Sequence, residues 1–478
     1  MARSAILTID QGTTNTKALL VGEDGSLLAR GTTQVRVDHP EAGWAEQSAE
    51  AIRDSVAEAI RQAVSAGPQV DIAAIAISNQ RESVAIWDGE TGEPLGPCVI
   101  WQCRRSAPLC AKLREGGFEA LIRERTGLGL DPLFSSGKLT WLLERAPSDR
   151  PIKAGTVDSW LIWNLTAGAV HATDASNASR TQLLALETVE WEDEILALFG
   201  IPKAVLPQVR ASDADFGVTK GGFAGLPDGI PIRAVMGDSH AACFGHGISQ
   251  PGHVKVTIGT GSSLMSPTGK RSGSRHGLSE TIAWSAGGKV LYALEGNITV
   301  SGHTAAFACE LLGIKDPEAL TALALTVEDS DGVSFVPALA GLGAPHWKDE
   351  ARGVICGMNL RTRPAHVARA SIEAIAHQIC DVVEAMDADL DTPLQSISAD
   401  GSAARNDFLL QMIADFSGKP VQRPANTDLS ALGAAMMAWR SASSRAASNQ
   451  DLSKFQPQLD GNFRIESRNQ WRNAIKKA

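Results

Sequence analysis

Asp10 ends an apolar run and is followed at once by Gln-Gly-Thr-Thr-Asn-Thr-Lys. A carboxylate, a glycine, hydroxyls and an ammonium in so short a span are the groups that hold a phosphate and its metal ion. A P-loop would need a second glycine before the lysine and a helix after it. Here that glycine is missing, and "KALLVG" reads as a strand. The turn is a Gly-Thr hairpin, whose N–H groups and Thr13 and Thr14 hydroxyls, beside Asn15, can converge on phosphate oxygens. Asp10 would hold Mg²⁺ or a magnesium-bound water through its hard oxygens. An ordinary hairpin is the alternative. "VTIGTGSSL", with Thr260 and Gly261, is a second strand–turn–strand of the same kind. Two such turns suggest one nucleotide whose phosphates are gripped from both.

Three further stretches carry polar chemistry. In "AVMGDSHAACFGHG", Asp238 follows a strand and opens a helix, so it is either an N-cap or a general base for a substrate hydroxyl. "NQRE", Asn79–Glu82, sits between apolar strands. It is either a solvated loop or a polyol site in which Arg81 donates and Glu82 accepts. Trp101, in "VIWQCRR", is either core or an apolar wall against a carbon chain. Asp158 reads as a helix cap. His240, His246 and His303 lack ligand spacing and are given no metal role.

These residues need elements to hold them. "SAILTID", "KALLVG" and "SLLARGTT" read as three strands, with an Asp24-Gly25 hairpin turn. Ser48 can cap a helix closed by Gly67, and "DIAAIAIS" and "SVAIWD" are strands on either side of "NQRE". Residues 366–390 repeat apolar side chains with helical period. The chain is α/β, and its second half opens as the first does. The expected domains are 1–244, with the first turn and the substrate groups, and 245–478, with the nucleotide groups.

Bulk properties narrow the function. The 478 residues carry 44 Lys and Arg against 54 Asp and Glu, a net charge of −10. That balance argues against nucleic-acid or membrane-surface partners. No apolar run reaches the ~18 residues of a membrane span, and no signal-type segment precedes the first strand. Seven cysteines form no C-x-x-C pair, as expected of reduced thiols in a soluble cytoplasmic protein.

Taken in order, "DQGTTNTK", "ISNQRE", "VIWQCRR", "GTVDSWLIWNLTAG", "TDASNASRTQL", "GDSHAACFG", "IGTG", "YALEG", "GLGAPHWKDEARGVICG" and "ALGAAM" resemble the FGGY carbohydrate kinases, and among them the glycerol kinase branch. The resemblance runs from about residue 5 to the C-terminal helix. It implies two actin-like, ribonuclease-H-like α/β lobes with a central nucleotide and substrate cleft, using ATP and Mg²⁺ to phosphorylate a small polyol or sugar. It makes Asp238 the catalytic base. Asp10 becomes the magnesium-associated acid, with Asp238 counted beside it at the metal. Thr13, Thr14, Asn15 and Lys17 match the first phosphate turn, where the family often has Arg for Lys17. Thr260 and Gly261 match the second turn, and Gly302, Gly401 and Asn406 lie around the nucleotide. Arg81, Glu82 and Trp101 match the acceptor site. Oligomeric state stays open, a homo-oligomer included.

The departures bear on the substrate. Leu133 stands where glycerol kinases have Tyr, Ser239 where they have Gln, and Ser263 where they have Phe; Ser402 replaces a glycine and Ala306 a Gln near the nucleotide. Losing two aromatic rings opens volume, and two serines offer hydroxyls, so a four- or five-carbon polyol or related sugar is expected. An ordinary glycerol kinase is the alternative. A non-catalytic nucleotide-binding regulator on the same scaffold is the reading from another class, against which Asp10 and Asp238 speak.

Overall fold

The computed structural model describes residues 3–442 and 452–478. They form two compact units, 3–247 with 280–292 and 428–442, and 248–279 with 293–427 and 452–478. Two segments of the expected C-terminal half thus group with the first unit, for reasons visible in their packing. In the segment 280–292, Ile282 is buried with Ala175, Leu184 and Leu186, and Tyr292 Oη donates to the Leu186 carbonyl at 3.0 Å. In the helix Leu429–Ala442, the residues Leu429, Ala431, Ala434, Ala435 and Ala438 are all buried.

The first unit is built on a five-stranded sheet. Its strands are β1 (Arg3–Gln11), β2 (Asn15–Gly22), β3 (Leu27–Gln34), β4 (Val70–Asn79) and β5 (Ile232–Gly237). The order is β3-β2-β1-β4-β5, antiparallel over the first three and parallel from β1 to β5. Ala5, Ile6, Leu7 and Ile9 are fully buried, as an unbroken apolar run requires of a strand covered on both faces. Helix α1 (Ala49–Ala66) covers one face through Ile52, Val56, Ala59, Ile60 and Ala63. Ser48 caps it by accepting from the Ala51 N–H, and the Gly67 N–H closes it on the Ala63 carbonyl. Helix α2 (Asp238–Gly245) follows β5 directly.

The second unit repeats that plan. Its strands β6 (His253–Ile258), β7 (Ser262–Pro267), β8 (Lys289–Ile298), β9 (Ser396–Asp400), β10 (Val421–Pro424) and β11 (Leu452–Phe455) are six of a seven-stranded sheet and run in the order β8-β7-β6-β9-β10-β11. β6, β7 and β8 are antiparallel, while β6, β9 and β10 are parallel. The first five correspond strand for strand to β1–β5, so the sequence echo of two Gly-Thr turns is a repeat of architecture. Helix α3 (Pro364–Asp389) buries Ala370, Ile372, Ile375, Ile379, Val382, Val383 and Met386, as its apolar period requires. Among the described residues no helix is long and apolar enough to cross a membrane.

Candidate active site

In a sheet of this plan, functional groups collect beyond the carboxyl ends of the parallel strands, and β1, β4 and β5 deliver theirs there. Asp10 pairs in register with Ser78 of β4, and Ser78 with Met236 of β5. Asp10 and Asp238 therefore leave the same end of the sheet two strand spacings apart, about 10 Å. Ser78 Oγ donates to Asp10 Oδ1 at 2.9 Å. Behind the first turn lies a chain of amides. Gln80 Nε2 donates to Gln11 Oε1 and Gln47 Oε1, Gln11 Nε2 to the Gly12 carbonyl, and Gln47 Nε2 to the Thr13 carbonyl. The turn's carbonyls are thus held from behind, while Thr14 and Asn15 are exposed. Lys17, directly opposite Asp10 in the ladder, has its Nζ 3.0 Å from Asp428 Oδ1. Asp428 is buried and also pairs with Arg30, so the expected phosphate cation stands in an ion pair that the sequence did not disclose.

"NQRE" is not a solvated loop: Asn79, Gln80, Arg81 and Glu82 are all buried. Asn79 ends β4, and its amide and that of Asn177 each donate to the other's oxygen, at 3.0 and 3.1 Å. Arg81 Nε reaches Asp238 Oδ1 at 3.1 Å, while its Nη1 lies 3.9 Å from Glu82 Oε1. That approach requires Gly237: a Cβ there would come within 2.6 Å of the Arg81 stem. Gly237, not Asp238, is the N-cap residue of α2. Asp238 is the first helical residue, its side chain 39% exposed, where the helix dipole favours a carboxylate. The Gly237 N–H donates to Ser176 Oγ at 3.0 Å, and Asp174 Oδ1 accepts from Ser176 Oγ and Asn177 Nδ2. A buried Asp-Ser-Asn cluster thus fixes the peptide from which the base candidate projects.

Trp101 is half-buried, and its Nε1 donates to Thr13 Oγ1 at 2.9 Å. Leu133 is half-buried, with its N–H on Asp131 Oδ1 and its carbonyl accepting from Lys138 Nζ at 2.5 Å. Lys138 is fully buried; burial lowers its pKa to about 8, with Glu82 among the charges that oppose the shift. Glu82 has φ +59, a left-handed conformation uncommon outside glycine. Its carboxylate is met by Arg180 Nε at 2.7 Å. Neither Lys138 nor Arg180 was singled out from the sequence; one lay in an apolar helix and the other in a run of small polar residues.

In the second unit, Gly259-Thr260-Gly261 turns from β6 to β7, closed by Gly259 N–H on the Gly261 carbonyl at 2.9 Å. The Gly302 N–H donates to the Gly259 carbonyl, and the Ser301 and His303 N–H groups to the Thr260 carbonyl. Gly401, φ +92, lies against β6: a Cβ would meet the Ile258 carbonyl at 2.5 Å. Gly302, Gly401 and the turn therefore come together within this unit. Ser402 is exposed and Ala306 half-buried. Asn406 caps the helix Asp407–Ser417 by accepting from the Leu409 N–H, and its Nδ2 donates to Thr321 Oγ1. Ser263 Oγ donates to Glu295 Oε1 at 2.8 Å.

Asp158 is not the expected cap. No helix-capping bond comes from it; it is fully buried and accepts from Thr156 Oγ1, Thr173 Oγ1 and the Asp174 N–H. Burial, together with the neighbouring Asp174 carboxylate, raises its pKa to about 7.

Comparison with known proteins follows this geometry along the whole chain. Residues 5–245 match the N-terminal domain, and residues 254–442 the C-terminal domain, of the FGGY family of carbohydrate kinases. The chain is 45% identical over 449 residues to a glycerol kinase of Bdellovibrio bacteriovorus, covering 91% of this chain and 90% of that one. It is 43% identical to an apulose kinase of Pectobacterium atrosepticum, covering 100% and 99%. Among solved structures, Plasmodium falciparum glycerol kinase with ADP superposes with a TM-score of 0.92 at 29% identity, covering 99% of this chain and 98% of that one. The fold is the two-lobed, actin-like α/β fold of these kinases. With both halves matched and relatives above 40% identity over nearly its full length, the chain belongs to the FGGY family of carbohydrate kinases.

Proposed function

We propose that the protein transfers the terminal phosphoryl group of ATP to a terminal hydroxyl of a four- or five-carbon polyol or related sugar. Asp238 removes the hydroxyl proton as the oxygen attacks phosphorus, the bond from that phosphorus to the ADP oxygen breaks, and the proton remains on Asp238. Arg81 and Glu82 orient the acceptor's neighbouring hydroxyls, one donating and one accepting. Thr13, Thr14, Thr260 and Gly261 hold the phosphates of ATP, the donor expected of this family. The single observation that carries the reading is the Arg81 guanidinium joining Asp238 and Glu82, since it sets a base beside a hydroxyl-binding acid.

Asp10 fits a magnesium ion, as a hard carboxylate at a strand end steadied by Ser78. The ion, when bound, would neutralise charge on the phosphoryl oxygens. Asp238 is the second residue assigned to it.

The acceptor reading rests on Leu133, Ser239 and Ser263. Ser263 Oγ donates to Glu295 Oε1, which fixes the direction of its hydroxyl. An apulose-named relative of 43% identity supports a sugar-sized acceptor. Glycerol is the second reading, favoured by relatives named for it at up to 45% identity. Steady-state kcat/KM over glycerol, erythritol, threitol, xylitol, ribitol and ketopentoses separates them. Glycerol ahead by about tenfold would reject the larger acceptor.

A further inference from the structure

We propose that Arg180 is the positioning residue that fixes the Glu82 carboxylate for the acceptor, and so sets acceptor affinity; this rests on the reading of Glu82 as an acceptor-binding acid. Arg180 is fully buried, and its Nε donates to Glu82 Oε1 at 2.7 Å. Its guanidinium carbon lies 5.1 Å from the centre of the Phe134 ring, a buried face that fixes the plane of the guanidinium. The Glu82 backbone is itself held, with Ser135 Oγ donating to its carbonyl at 3.1 Å.

Both ion pairs of Glu82 fall on Oε1, to Arg180 and at longer range to Arg81. Neither falls on Oε2, the oxygen this reading assigns to the acceptor. Stability alone is a poor reason for this pair. A buried ion pair gains little over apolar side chains of the same volume, whereas it fixes geometry well. Arg81 stands farther from Glu82 than Arg180 does, 3.9 Å against 2.7 Å, and its Nε is engaged with Asp238. Without Arg180, Glu82 would compete with Asp238 for the same guanidinium.

The test uses Arg180→Lys, Arg180→Met and Glu82→Gln in the full-length enzyme, with acceptor KM, ATP KM, kcat and thermal midpoint measured for each. Arg180→Met is expected to raise acceptor KM by about a hundredfold, the cost of a misplaced binding group. ATP KM should stay within about twofold, a split that general loosening would not give. Arg180→Lys, which keeps the charge but not the fork, should fall between; it decides if Arg180→Met does not fold. Because Arg180 acts through Glu82, adding either Arg180 substitution to Glu82→Gln should raise acceptor KM no further. Wild-type acceptor KM in the folded Arg180 variants, with a raised value in Glu82→Gln, would overturn the proposal alone. Wild-type KM in Glu82→Gln would overturn both it and the acceptor reading of Glu82.

Discussion

Arg81 Nε lies 3.1 Å from Asp238 Oδ1. The same guanidinium stands 3.9 Å from Glu82 Oε1, the oxygen that Arg180 Nε meets at 2.7 Å. Four charges of alternating sign, on three separate segments of chain, thus join the proposed base to the proposed acceptor clamp. Their order assigns each a different kinetic signature.

Asp238→Asn should lower kcat by about 10³-fold, within the range of general-base catalysis, while ATP binding measured by calorimetry stays near wild type. Arg81→Lys keeps the charge but loses the planar fork that serves two carboxylates. It should raise acceptor KM by about tenfold or more. Turnover unchanged in Asp238→Asn would remove Asp238 from the base role.

The acceptor reading predicts the direction of a reversion. Leu133→Tyr combined with Ser263→Phe restores the aromatic side chains that the glycerol kinase branch carries, and fills volume that a longer chain would use. The double variant should shift the ratio of kcat/KM for glycerol over the best larger acceptor upward by about tenfold. An unchanged ratio in the same substrate panel would mean that these positions do not choose the acceptor.

Asp238 also depends on a helix contact made possible by two glycines. A Cβ on Gly433 would meet the Ala241 carbonyl at 1.8 Å, and one on Gly245 would meet the Leu429 carbonyl at 2.5 Å. Helix α2 and the helix Leu429–Ala442 therefore touch backbone to backbone, and the second braces the helix that carries the proposed base. Gly433→Ala should cost about 1–3 kcal/mol in urea denaturation, as overpacking does. It should lower kcat more than it raises acceptor KM. A variant with wild-type stability would show that the helices separate freely.

Much of this was legible in the residues. The apolar runs and their turns gave the strands, and Ser48 and Gly67 gave the ends of α1, because those signals are local. The matching order of β1–β5 and β6–β10 was visible only as two Gly-Thr turns. Lys17, Asp428 and Arg30 show what stays hidden. Asp428 lies 411 residues from Lys17, and only the return of the segment 428–442 to the first unit brings the carboxylate to the turn. Arg180 and Lys138 were hidden for a related reason. Burial decides what a lone cation does, and neither neighbouring sequence signals burial. Asp158 looked like a cap because its helix position is right; the missing information was that two threonines and a second carboxylate enclose it.

Asp158 makes the last prediction, one of sign. Its folded pKa of about 7 lies above the ordinary aspartate value of 3.8, because burial and Asp174 oppose its charge. Asp174, also buried and raised, lies across the same cluster, so the two titrate together. Between about pH 4 and pH 7 the folded protein holds a proton that the unfolded chain has released. The contribution of Asp158 to stability is therefore fully present below about pH 4 and is lost as pH rises toward 7, by up to about 1.4 kcal/mol per pH unit for one proton. Asp158→Asn carries no titratable group and should flatten that slope, leaving the variant relatively more stable at pH 8 than at pH 5 when each is compared with wild type. Urea denaturation at the two pH values measures it, and parallel pH profiles for the two proteins would show that Asp158 is ionised in the folded state.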